Sequence, residues 1–312
     1  VRKRRHKSSG SLDAALALCI RGGAAAVGAL PAGLAANAGA FAGSMIRRLV
    51  PIRRGVVREN LAIAFGSTHS PSEIRRIERA TYRSFGMMAA EWLGLYRHGL
   101  PWLEKQIDSI EEHPDSGALA KSGAPFFVIT GHFGNWEMLG AYFASRYPLS
   151  ALAKPMHNAR LNADLDAMRR RYGLEILYST EQSIARQIFH ATRAGRHVCF
   201  LGDQDARSAG QFVPFFGRPA STFRGPALFA VRMNIPLIPG YLLRLGPGRH
   251  RVLIRAPIYP NRDLPAQEAV EEMTRRHVKV LEDVIRIMPS QYFWFHRRWK
   301  TRPPRPRAAP AR

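Results

Sequence analysis

From position 126 onward the hydrophobic and polar positions alternate between two periods. Residues 126–129 (FFVI) form a short unbroken apolar run, the pattern of a strand buried on both faces. Comparable runs at 150–154, 174–177 and 197–202 are separated by helical stretches at 158–171, where Leu161, Leu165 and Met168 share one side, and at 181–194. Residues 226–233 read as a helix, 236–243 and 251–254 as strands joined by a Gly-Pro-Gly turn, and 266–288 as a long amphipathic helix. This alternation predicts an α/β fold with a mainly parallel central sheet flanked by crossover helices. In such sheets function collects at the carboxyl ends of the strands.

The first third reads differently. Residues 1–7 are a basic head, and 24–46 contain 23 residues without a charge, long enough to span a bilayer but rich in Ala and Gly and interrupted by Pro31, Asn37 and Ser44. The segment reads as a marginal transmembrane or interfacial helix, with a cleavable signal peptide as the competing reading. Arginines flank it on both sides, so the positive-inside rule gives no orientation, and a G-x-x-x-G at Gly39 and Gly43 carries little weight in so Gly-rich a stretch. A helix beginning at Ser70-Pro71 and running to 95 places Ile74, Ile77, Tyr82, Phe85, Met88 and Trp92 on a stripe suited to core packing. The expected division is a basic head with a membrane-associated helical segment (1–54), one α/β domain (55–303) and a disordered basic tail (304–312).

Charge narrows the partners. The chain has 312 residues and 47 Lys and Arg against 23 Asp and Glu, a net charge of +24, so it seeks polyanions. A nucleic-acid reading rests on charge alone, because no zinc-finger spacing, RNP-like aromatic motif or basic-region heptad accompanies it, and none is expected as a partner. Membrane phosphates use the same charge. The two cysteines, Cys19 and Cys199, provide neither a disulfide framework nor a metal cluster.

The chemistry gathers in PFFVITGHFGNWE (125–137), where a strand pattern meets a glycine turn carrying His132, and Asn135 can cap the helix that follows. His132 and Glu137, five residues apart, would diverge by about 140° on one helix. The spacing makes sense with His132 in the turn and Glu137 in the first helical turn, from which the carboxylate orients the imidazole as a general base. No protein nucleophile is evident: G-x-S-x-G is absent and Cys199 lies in an apolar run, so a substrate hydroxyl takes that role.

HFGNWE after an apolar strand resembles the signature of the lipid A biosynthesis (lauroyl/myristoyl) acyltransferases, within the glycerolipid acyltransferase superfamily. Three further stretches resemble the same family in order: GDQDA (202–206), FVPFFGRPASTFRGPA (212–227) and QY-x-W-x-HRR-x-K-x-RP (291–303). The resemblance implies that His132, oriented by Glu137, deprotonates a hydroxyl of an anionic lipid A-type glycolipid, which attacks the thioester of an acyl carrier protein or coenzyme A donor. It implies no cofactor and no metal.

By motif position Arg169, first of an R-x-x-x-G, is the first candidate to stabilise the oxyanion, followed by Arg170, with Asn135 and Lys154 as further positioning residues. Asp203, Gln204 and Asp205 are candidates to bind sugar hydroxyls or to buttress the His132 loop. Phe215, Phe216, Thr222 and Arg224 are candidates for a loop facing acyl chain and head group. Arg297 and Arg298 suit phosphate contact, and Tyr292, Trp294 and Trp299 beside them suit a lipid–water interface. His296 reads as a hydrogen-bonded histidine. The implied location is the cytoplasmic face of the inner membrane. The acceptor is open, since relatives acylate phosphatidylinositol mannosides, and so are chain length, donor and oligomeric state. A hydrolase using the same pair on water, and a non-catalytic basic binding protein, are the readings from other classes.

Overall fold

The computed structural model describes residues 10–155, 158–178 and 184–304. The basic head, the tail beyond 304 and the first three residues of the helix expected from 181 lie outside the described residues. In chain order the elements are α1 (Gly10–Gly28), α2 (Ala32–Leu49), α3 (Arg54–Phe65), α4 (Pro71–His98), α5 (Leu100–Glu104), β1 (Ile107–Glu112), α6 (Pro114–Lys121), β2 (Phe127–Thr130), α7 (Trp136–Ala144), β3 (Leu149–Ala153) and α8 (Ala159–Arg171). There follow β4 (Leu174–Tyr178), α9 (Ile184–Arg193), β5 (His197–Leu201), β6 (Gln211–Phe215), β7 (Arg218–Thr222), α10 (Gly225–Met233), β8 (Leu237–Gly246), β9 (Arg249–Ile254) and α11 (Ala266–Ile287).

Seven strands form one sheet in the order β1-β9-β8-β2-β5-β3-β4. From β8 to β4 every neighbouring pair is parallel, and β9 turns back antiparallel on β8, with β1 parallel to β9. The mainly parallel α/β architecture is therefore the one the sequence pattern predicts. β2 is buried along its whole length. Val128 packs with α7 and α8 on one side, while Phe127 and Ile129 pack with α9, α10 and α11 on the other.

Two strand pairings lie outside the expectation. β1 (IDSIEE) has an exposed, charged sequence at the sheet edge and carries no apolar run. β6 and β7 form an antiparallel hairpin from the stretch read as a substrate loop. Phe215 and Phe216 at its tip are buried with Phe65, Tyr292, Trp294 and the second half of α11, so they belong to the core and face no ligand.

The N-terminal segment corrects the expectation of one helix over 24–46. Pro31 separates α1 from α2, and no described helix is long and apolar enough to cross a membrane. The G-x-x-x-G is used within the chain: Cβ atoms built on Gly39 and Gly43 would stand 2.3 Å from the Gly86 carbonyl oxygen and 2.1 Å from that of Tyr82. Only glycines allow α2 to lie so close against α4. That helix begins as its sequence requires, with a capping box between Ser70 and Glu73. Glu78 on α4, almost fully buried, receives Arg58 at 2.8 Å, Arg54 at 3.1 Å and Arg47 at 3.5 Å, binding α2, α3 and α4 together.

Candidate active site

β2 ends at Thr130 and β5 at Leu201, and the two residues are partners in the parallel register. Two positions beyond each strand end stand His132 and Asp203, so the register itself brings them together. The His132 backbone N–H donates to Asp203 Oδ2 at 2.9 Å, and Nδ1 lies 2.7 Å from Oδ1. A carboxylate only accepts, so Nδ1 carries the proton and Nε2 keeps its lone pair, 3.3 Å from the Gln204 amide nitrogen.

Burial, the largest influence on the His132 pKa, lowers it. The charge and hydrogen bond of Asp203, with Glu137 behind them, outweigh burial and raise the pKa above 6.5. Burial likewise pushes the Asp203 carboxyl up, but His132 and then Arg298 bring it below its ordinary value.

The orienting carboxylate is therefore Asp203, and the expected Glu137–His132 pairing is not formed. Glu137 instead takes Arg169 in a forked pair, with Nη2 to Oε1 at 2.7 Å and Nε to Oε2 at 3.2 Å. Glu137 lies in the first turn of α7, where the helix N-terminus favours its negative charge. Burial, the largest influence, lowers the Arg169 pKa, but Glu137 outweighs it and holds the guanidinium firmly charged.

The turn between strand and helix is fastened on three sides. Gly134 has φ +57°, and a Cβ there would stand 1.8 Å from the Leu242 carbonyl oxygen, so this position admits glycine alone. Its N–H donates to the Gln291 carbonyl at 2.9 Å, and the Phe293 N–H donates to the His132 carbonyl at 2.9 Å. Asn135 Oδ1 accepts the Met138 N–H at 3.2 Å, and its amide donates to Glu91 at 3.2 Å. Asn135 is fully buried by these bonds, so it caps α7 and positions no substrate. Glu91 also receives Arg244 through two bonds of 2.5 and 2.6 Å.

His132, Trp136, Glu137, Lys154, Arg169 and Gln204 line a cavity of about 610 Å³. Its inner wall is apolar, formed by Leu139, Gly140 and Phe143 of α7 with Leu174, Ile176 and Cys199 from the sheet. The Trp136 ring meets the His132 ring edge to face at 4.9 Å. Burial pushes the Cys199 thiol up to about 12, so it offers no nucleophile.

Other expected site residues lie elsewhere. Arg170 and Arg297 are exposed, and Arg224, exposed at the start of α10, lines none of the cavity, although its neighbours Phe223 and Gly225 do. Arg298 is fully buried, donating to the Ser221 carbonyl and to Thr222 Oγ1, each at 2.6 Å. Arg298 and Thr222 are internal struts of the β6–β7 hairpin rather than substrate contacts. Asp205 buttresses the site from behind: its N–H donates to His296 Nε2 at 2.8 Å and its carboxylate accepts from Thr301 at 2.9 Å. Tyr292 and Trp294 are buried in the core, not set at an interface.

The family model of the bacterial lipid A biosynthesis acyltransferases matches residues 2–301. The chain is 25% identical over 268 residues to the lipid A biosynthesis palmitoleoyltransferase of Escherichia coli (strain K12), across 84% of this chain and 83% of that protein. Identity to the lipid A biosynthesis lauroyltransferase of the same organism is 26% over 270 residues, with the same coverage. A phosphatidylinositol mannoside acyltransferase of Mycobacterium tuberculosis (strain CDC 1551 / Oshkosh) is 27% identical over 166 residues, 51% of this chain and 52% of that one. Among solved structures, the 1-acyl-sn-glycerophosphate acyltransferase PlsC of Thermotoga maritima aligns over 80% of this chain and 96% of its own, with a TM-score of 0.37 and 15% identity.

Proposed function

The chain belongs to the bacterial lipid A biosynthesis acyltransferase family, and we propose that it moves a fatty acyl group from an acyl carrier protein or coenzyme A thioester to a hydroxyl of an anionic lipid A-type glycolipid. The observation that carries this reading is a histidine whose Nδ1 is fixed by a buried carboxylate at 2.7 Å and which lines a cavity with an apolar inner wall.

In the proposed reaction Nε2 of His132 takes the proton of the acceptor hydroxyl as its oxygen attacks the thioester carbonyl. Asp203 stabilises the imidazolium that forms, and Arg169, held by Glu137, faces the charge developing on the carbonyl oxygen. Collapse of the tetrahedral intermediate breaks the carbon–sulfur bond, and the imidazolium returns its proton to the departing thiolate. The apolar wall along α7 suits the acyl chain, and Lys154 at the rim suits an anionic substrate. No cofactor enters this reaction. Because the donor thioester is cytoplasmic and the acceptor is a membrane lipid, the reaction belongs at the cytoplasmic face of the inner membrane.

A phosphatidylinositol mannoside is the second acceptor to consider, on the likeness to the mycobacterial enzyme. The test is transfer of radiolabel from acyl carrier protein or coenzyme A to a membrane lipid extract by wild type and His132→Ala, with the labelled product identified by mass. A labelled glycolipid lost in the variant is the expected result and names the acceptor. Label appearing only as free fatty acid would move the assignment to a hydrolase, and turnover independent of His132 would remove the base.

A further inference from the structure

Away from the catalytic cavity, α2 carries an exposed apolar face. Leu34, Phe41 and Leu49 recur at intervals of seven and eight residues, about two turns each, and so share one side of the helix. They are 57, 65 and 75% exposed, and Val50 and Ile52 extend the strip at 62 and 54%. The opposite side holds Ala36, Ala40 and Gly43, buried against α4 by the glycine contact described above. The helix is therefore clamped with its apolar face turned outward.

Beside this strip α2 and α4 enclose a cleft of about 440 Å³ lined by Arg47, Arg48, Arg76, Arg79 and Arg83. Arg47 shares Glu78 with two other arginines, and the remaining four form no ion pair among the described residues. An apolar strip bordered by a cluster of five guanidinium groups, four of them without an ion pair among the described residues, matches the layering of an anionic leaflet, with acyl chains below and phosphates above. A second copy of the chain fits poorly, because pairing the strips would bring two arginine clefts of like charge together.

We propose that α2 lies in the plane of one leaflet, with Leu34, Phe41 and Leu49 in the acyl boundary and the phosphates of anionic phospholipid headgroups in the arginine cleft. The proposal deepens the membrane placement given above and rests on it. With 18 residues α2 covers about 27 Å along the surface and does not need to span it.

Flotation with phosphatidylcholine vesicles, with and without phosphatidylglycerol, tests it on the full chain. Three arginines at about a factor of five each predict that Arg76→Gln, Arg79→Gln and Arg83→Gln together weaken binding to phosphatidylglycerol vesicles about a hundredfold and flatten its salt dependence. Phe41→Ser with Leu49→Ser should weaken it at every salt concentration. An environment-sensitive dye on Leu49→Cys, in a Cys19→Ser background, should shift to the blue on these vesicles, whereas the same dye on exposed Gln267→Cys should not. Millimolar inorganic phosphate should leave binding intact.

Equal binding to both vesicle types, wild-type binding by either set of variants, or a shift at Gln267 instead of Leu49 would overturn the proposal. So would release by free phosphate, or self-association abolished by Leu49→Ser without any change on vesicles. Transfer to a detergent-dispersed acceptor is measured in parallel, since it does not need the bilayer: its persistence with failed flotation removes only the seat, and its absence with intact flotation removes only the proposed reaction.

Discussion

Replacing Asp203 by Asn tests the assignment of the orienting carboxylate with little change of shape. The His132 backbone N–H is a fixed donor and claims one oxygen of residue 203. In asparagine that oxygen is the sole acceptor, so the amide NH₂ must face Nδ1, which then has to accept. The imidazole proton moves to Nε2, where the hydroxyl proton needs to go. Restoring the productive tautomer costs the two charge-assisted bonds of the wild type, about 1.5–3 kcal/mol each. Their sum, about 3–6 kcal/mol, corresponds to a loss of roughly 10²–10⁴ in kcat.

The assay is acyl transfer at saturating donor and acceptor across pH, with thermal unfolding as the control for folding. A base must be neutral to act, so wild-type kcat falls as pH drops through the raised pKa of His132. Without the carboxylate that raises it, the limb in Asp203→Asn moves to lower pH. Glu137→Gln leaves the His132 tautomer in place and weakens only the hold on Arg169, so its loss should be smaller and its acid limb nearer the wild type. Near-wild-type kcat in Asp203→Asn, together with abolished transfer in Glu137→Gln, would refute the reasoning and return the orienting role to Glu137.

Gly140 lines the apolar wall, and a Cβ there meets only Leu174 at an ordinary 3.7 Å. Gly140→Leu should fold and shift donor preference toward chains shorter by about four carbons, the number it adds to the cavity, as read by competition between acyl donors. A Cβ at Gly86 would stand 2.0 Å from the Gly39 carbonyl oxygen, so Gly86→Val should lower stability by roughly 1–3 kcal/mol and expose the Arg47–Arg48 bond to trypsin. Burial, the largest influence, raises the Glu91 pKa, but Arg244 and His250 outweigh it and leave it at about 2, below its ordinary 4.5. A depressed carboxylate contributes stability above pH 4.5 that fades as pH falls toward 2. Glu91→Gln should therefore cost roughly 3–5 kcal/mol near neutrality and less at pH 3, measured by urea unfolding.

The sheet and the turn carrying His132 were legible because apolar runs and glycine turns are local signals. The β2 and β5 runs, ending at Thr130 and Leu201, even hold the offset that pairs His132 with Asp203, but reading it requires knowing that these two strands are neighbours. Glu137 was favoured as the orienter because it is close in sequence, whereas the true partner is 71 positions away. Arg298 was read as a phosphate contact, whereas it is buried; it looks in sequence like any other charge, as do Glu91 and Arg244, and only their partners reveal that they lie inside. The polar edge strand β1 was missed for the opposite reason, since a strand exposed at a sheet edge needs no apolar period.

The segment from 290 to 301 supplies the carbonyl that receives Gly134, the N–H that engages His132, the ring nitrogen behind Asp205 and the guanidinium that braces Thr222. A protein is made from its N-terminus, so each of these fasteners is synthesised more than 150 residues after His132. During translation β2, α7 and β5 can emerge and pair while His132 still lacks its final backbone tie. The turn around His132 therefore takes its final form late, once this segment leaves the ribosome, and a growing chain that stops short of residue 290 carries the histidine without the ties that fix its backbone.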